Sequence, residues 1–178
     1  RAGGGFFNGS ENVSRREWQT YVAALRLRED YPGIQGLGFT QMLPAAAVPG
    51  HLAEIRGQGF PDYVIRPPGE RDPVSSIIYL EPFDWRNQRA FGYDMFSEPV
   101  RRAAMTQAME SGEPAVSGRV TLVQETSKEV QYGFLMYVPV YRKGMPLDNA
   151  EQRRAAIHGF VYSPFRLGDL MQGILEQS

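Results

Sequence analysis

The chain predicts an α+β domain, with helices on one face of an antiparallel sheet. Strand-length apolar and aromatic runs recur from residue 34 to residue 162. A polar link at residues 125–129 joins two of the longer runs as a hairpin would, which points to antiparallel neighbours. Helical periodicity appears near the start, in the middle and at the end, without alternating regularly with the strands.

In order, the polar, glycine-rich residues 1–12 predict a frayed end. Ser14-Arg15-Arg16-Glu17 matches a capping box, and Trp18, Tyr21, Val22 and Leu25 follow on one helical face. Tyr31-Pro32-Gly33 ends that helix. Residues 34–42 alternate as a strand whose Gly36 and Gly38 weaken it or let another backbone come close. Residues 48–56 suit a short helix with Leu52 and Ile55 inward, and residues 63–65 a short strand. Residues 74–81 give a stronger strand pattern. Residues 90–94 read as a strand ending on Asp94, after which Ser97 is the natural cap of a helix. Val100, Ala104 and Ala108 face inward on that helix, Pro99 lies in its first turn, and Gly112 follows its end. Strands are expected at 115–117, 120–124, 130–141 and 156–162. A charged loop at 144–154 precedes the last of these. Leu167, Leu170, Met171 and Ile174 mark a C-terminal amphipathic helix.

Composition narrows the function. A length of 178 residues suits one domain or one domain with an appendage. Hydrophobic residues at 42% supply a core. A net charge of −1 without a basic stripe argues against nucleic acid as a partner. The absence of cysteine removes disulfides, thiolate chemistry and most structural zinc sites. No apolar run approaches the roughly 20 residues that span a bilayer. The chain starts at Arg1 without Met, which suggests a fragment whose membrane anchor would lie outside it.

The search for catalytic motifs is negative: the nucleophile elbow, P-loop, zinc-protease and dinucleotide signatures are all missing. Neither a cofactor nor a metal is expected. His51 is expected at the surface of its helix and His158 as a structural residue. Arg101-Arg102 and Arg153-Arg154 are expected on solvated helix faces, and Met105 and Met109 in the core. Glu81 and Asp84 are most simply a solvated loop and a turn. Paired with Asp94, either could instead serve a hydrolase. Asp94 sits among Phe91, Tyr93, Met95 and Phe96, where an unpaired carboxylate is costly. It either caps a nearby backbone group or awaits a ligand that brings donors. Aromatics on successive strands, Tyr79 and Phe134 among them, are candidates to line the same space.

Several stretches together resemble the CHASE sensory domain. They are Asn12-Val13-Ser14-Arg15-Arg16-Glu17-Trp18, Tyr31-Pro32-Gly33-Ile34-Gln35-Gly36-Leu37-Gly38, Gly92-Tyr93-Asp94-Met95-Phe96-Ser97-Glu98-Pro99 and Gly159-Phe160-Val161-Tyr162-Ser163-Pro164-Phe165. The resemblance also takes in residues 111–118 and 133–141, so it runs nearly the whole chain in the family's order. It implies an N-terminal stalk helix, residues 1–30, followed by a PAS-like ligand-binding module, residues 31–178. It also implies an extracytoplasmic, periplasmic sensor of a membrane-anchored receptor with a kinase or cyclase output, a homodimer through its N-terminal helix. In plant members that bind cytokinins, an Asp in the matching position accepts hydrogen bonds from an adenine-type ligand. Asp94 is its counterpart, Val116 matches a backbone contact, and Thr126 is the nearest polar residue in the following hairpin. The expected ligand is a small, donor-bearing molecule, and Asp94→Ala is expected to abolish binding with the fold intact. A dimerisation module with a vestigial pocket is the alternative.

Overall fold

A computed structural model describes residues 13–27, 33–123 and 132–168. Its frame is one antiparallel sheet of β1 (Leu37–Leu43), β2 (Val74–Glu81), β3 (Ala115–Val116), β4 (Val120–Thr121), β5 (Tyr132–Tyr141) and β6 (Ile157–Arg166). The spatial order is β2-β1-β6-β5-β3, with β4 also paired to β5. This is the PAS-like α+β arrangement, in which the last strand lies between the first hairpin and the second. Among the described residues four named helices flank it: α1 (Arg15–Ala24), α2 (Val48–Gly57), α3 (Pro99–Ser111) and α4 (Ala150–Ala156).

Helices pack on both faces of the sheet, where the sequence pattern had suggested one. The strands are buried from both sides, and β2 is buried at every position. On one face, Trp18 and Val22 of α1 and Ile55 of α2 join Phe39, Tyr79 and Val161. On the other, Ala104, Met105 and Ala108 of α3 cover Met42, Ile77, Tyr137, Phe160 and Tyr162. A bulge in β2 opposite the Phe39–Thr40 step places Ile78 and Tyr79 together on the α1 face.

Local chemistry explains the elements. The capping box of α1 is present: Ser14 and Glu17 satisfy each other's backbone donors. Gly38 is required for packing, because a Cβ there would come within 2.6 Å of the Tyr162 ring. Tyr162 therefore lies flat across β1.

Several boundaries differ from the sequence pattern. Residues 63–65 and 90–94 are not ladder strands. Arg66 and Tyr93 share a single parallel bridge, and a 3-10 turn covers Asn87–Ala90. Gly92 has φ 79°, a left-handed value that breaks an extended run. The aromatics there fill a cluster instead: Phe91 packs against Phe60, Tyr63 and Phe83 at 4.7–5.5 Å between ring centroids. The cap of α3 is Glu98, whose carboxylate accepts from the amides of Val100 and Arg101. Ser97 donates instead to the Asp94 carbonyl. Strand β6 continues through Pro164 to Arg166, beyond the expected end at 162. Beyond Tyr162 the β1 ladder has ended, and this part of β6 pairs with β5 on one side and meets residues 33–36 on the other, through an Ile34–Phe165 bridge and the bonds Gln35 N–H to Pro164 O and Arg166 N–H to Gly33 O. Of the expected C-terminal helix, Leu170, Met171 and Ile174 lie outside the described residues. Among the described residues, no helix is long and apolar enough to cross a membrane.

Candidate functional site

Asp94 lies between the Gly92 turn and a 3-10 turn, Met95–Ser97, and its side chain is wholly buried. Its Oδ1 accepts from the Ser75 amide (2.9 Å), the Ser75 hydroxyl (2.9 Å) and the Phe96 amide (3.1 Å). Its Oδ2 accepts from Arg71 Nε at 2.8 Å. Asp94 is thus both the cap of a turn and one half of an ion pair. The body of the domain holds one oxygen, and an exposed loop holds the other. That loop, residues 67–73, runs beside an open groove of 860 Å³ lined by Val48, Leu52, Ile65, Pro68, Arg71 and Val74, among others.

The layer between the sheet and α3 begins at the same corner. Met95 turns inward from Asp94 and its sulfur takes a 3.5 Å contact from the Tyr137 hydroxyl. Met42, Met95, Met105 and Met109 all belong to this cluster, with Tyr137 and Tyr162. Burial pushes both tyrosine hydroxyls upward in pKa. The Tyr162 Oη and Thr40 Oγ1 atoms are buried with no hydrogen-bond partner among the described residues.

Arg101 is a correction to the expectation of a solvated helix face. It is buried, donating to Glu98 at 3.2 Å and to the Thr121 carbonyl at 2.8 Å, above the Tyr93 ring. It ties α3 to β4, so Glu98 serves as helix cap and counter-ion together. His51 also differs from expectation. It is buried 3.2 Å from the Tyr63 hydroxyl, and desolvation lowers its pKa to about 4. Arg153 and Arg154 both turn back to the C-terminal end of α3, on the Glu110 carbonyl and carboxylate respectively.

The remaining sequence candidates are dispersed. Tyr79 is on the α1 face, stacked on Trp18 at 6.2 Å and donating to the Val13 carbonyl. Phe134 alternates with Leu135 and Tyr137, so it too points to that side, stacked on Phe165 at 4.9 Å. The sheet therefore separates Tyr79 and Phe134 from Asp94. Val116 is exposed on the short strand β3, opposite Met136. Thr126 lies outside the described residues. Glu81 is buried and accepts from the Phe83 amide; desolvation raises its pKa. It lies six steps along β2 from Ser75, about 20 Å at strand spacing, so it forms no acid pair with Asp94. Asp84 caps its own turn through the amides of Arg86 and Asn87.

Sequence reasoning passed over Arg71, Ser75 and Thr40, whereas Tyr137 was among the strand aromatics expected to line a shared space. Only the Ser75-Ser76 pair within an apolar strand gave a signal that β2 meets polar partners. Among the described residues, no three His, Cys, Asp or Glu side chains converge as a metal site.

A family model described as the CHASE domain matches residues 11–178. No curated protein matches the chain.

Proposed function

The chain belongs to the CHASE domain family, whose members are extracellular, non-catalytic sensor domains of signalling receptors, and on that premise we propose that it binds a small donor-bearing molecule at Asp94. The supporting observation is the division of that carboxylate: three donors of the domain body fix Oδ1, whereas a loop side chain alone holds Oδ2. Each hydrogen bond to an ionised acceptor in a dry site contributes about 1.5–3 kcal/mol. A ligand that reaches Oδ2 gains this and biases both the loop and the methionine layer behind it. In this reading the segment before residue 31 is the connecting helix of a membrane-anchored, periplasmic homodimer. The module from residue 31 controls a kinase or cyclase output, and an adenine-type or cytokinin-like compound is one candidate ligand.

Thermal-shift screening of purines, amines and small acids on wild type and Asp94→Asn tests this. Asparagine keeps an acceptor for Ser75 and Phe96 and removes the charge. A true ligand raises the wild-type melting temperature and loses that effect in Asp94→Asn. Equal shifts in both proteins would refute the site. A vestigial pocket in a dimerisation module is the second reading, favoured by the side chains that fill the layer under α3. It predicts no Asp94-dependent shift with any compound.

A further inference from the structure

Arg71 lines the groove along loop 67–73 and stands between it and the buried Asp94. The Arg71 guanidinium donates through Nε to Asp94 Oδ2 at 2.8 Å, through Nη2 to the Pro67 carbonyl at 2.5 Å and through Nη1 to the Pro68 carbonyl at 3.3 Å. Its side chain is 25% exposed, against 0% for Asp94. The cation therefore stands between the carboxylate and water, like a stopper. Its other tie is one residue on, where Asp72 accepts from the Ala45 amide at 3.1 Å. The other charged residues lining the groove are Glu70 and Asp72, and its remaining wall is largely apolar. With the Arg71 side chain withdrawn, the charges at this place would all be negative.

We propose that this groove binds an organic cation, an amidinium, guanidinium or protonated amine on an apolar body, which replaces Arg71 on Asp94 and frees loop 67–73. The inference rests on the reading of Asp94 as the ligand anchor and adds the ligand's charge. The reason is electrostatic. Asp94 is fully buried, and removing its counter-ion without replacement leaves an uncompensated buried charge. A neutral donor can restore a hydrogen bond but not the charge. A cation restores both, and a planar amidinium also reproduces the geometry that Arg71 now presents. Because Arg71 competes, ligand affinity is reduced by the fraction of molecules in which the stopper is in place.

Benzamidinium and its neutral counterpart benzamide are the probes, with binding to the whole chain followed by calorimetry. Arg71→Ala is expected to bind benzamidinium at least about tenfold more tightly than wild type, as removal of an internal competitor requires. Benzamide should gain nothing from the substitution, and Asp94→Asn added to Arg71→Ala should abolish the gain. In wild type, saturating benzamidinium should speed amide exchange at residues 69–72, a readout that does not depend on the variant folding. Unchanged benzamidinium affinity in Arg71→Ala, or an equal gain for benzamide, would overturn the proposal, as would unaltered exchange in wild type. If a neutral compound binds in an Asp94-dependent way with Arg71 in place, the cation inference fails and the Asp94 site stands. If no compound shows any dependence on Asp94, both fail.

Discussion

The two faces of the sheet are built from different materials. The α1 face is aromatic and interlocked: Trp18 stacks on Tyr79, Phe39 packs beside it, and Arg15 lies 4.5–5.2 Å from the ring centroids of Phe60, Tyr79 and Phe91. The α3 face is lined with methionines, and two of its hydroxyls have no partner among the described residues. Rigid rings with fixed geometry hold one arrangement, whereas unbranched thioethers tolerate several. Two cations from outside the sheet are held in different ways. Among the described residues the Arg15 Nε and Nη2 atoms have no hydrogen-bond partner and lie over ring faces, and desolvation lowers its pKa. Arg71 rests on the Asp94 carboxylate at 2.8 Å. The contrast teaches that the α1 side fixes register, and the α3 side is where a change can be accommodated.

The contrast can be broken most severely at Asp94. Asp94→Ala strands a buried network, with Arg71 and the amides of Ser75 and Phe96 losing their partner. It should cost about 3–5 kcal/mol, read as a lower denaturant midpoint. The geometry thus replaces the expectation that this variant keeps the fold intact, and makes Asp94→Asn the better binding control. Next comes Trp18→Ala, which opens a cavity on the interlocked face and should cost about 3–5 kcal/mol. A loss under about 1 kcal/mol would mean that α1 is only loosely held. Acid supplies a third test through His51. Its folded pKa of about 4 lies below the unfolded value of 6.5, so the unfolded chain takes up a proton first. Stability is complete above about pH 6.5 and falls as pH drops toward 4, by about 3 kcal/mol in all. His51→Gln should flatten that slope in urea melts at successive pH values. The smallest effect belongs to Tyr162→Phe. Its hydroxyl is unpartnered in the folded protein, so removal should be neutral or stabilising by up to about 1 kcal/mol. A clear loss of stability would mean that the α3 face is as tightly specified as the other.

The legibility of the fold followed the range of the forces involved. Strand β2 was readable at 74–81 because its run is apolar, of strand length and closed by prolines. The capping box of α1 was readable because both partners lie within four residues. The burial of Asp94 was readable from its neighbours. Its partners were not: Arg71 arrives from an exposed loop and Ser75 from a strand, 23 and 19 residues away. Residues 90–94 carried the composition of a strand, but those aromatics satisfy the cluster around Phe91, and Gly92 turns the backbone. Arg101 had the look of a surface residue until β4 was laid over it. The placement of Tyr79 and Phe134 on the far side from Asp94 depends on register and on one bulge, which periodicity does not report.

Strand β6 has neighbours along both edges, β1 on one side and β5 on the other. Tension applied along its axis would load those bonds in shear, sharing the force among many, whereas β2 at the sheet margin can be peeled bond by bond. A pull on the backbone near Arg166 therefore travels through a stiff rod to Tyr162 and the strands on either side. Such a load would be shared through the middle of the sheet and would part its rim first.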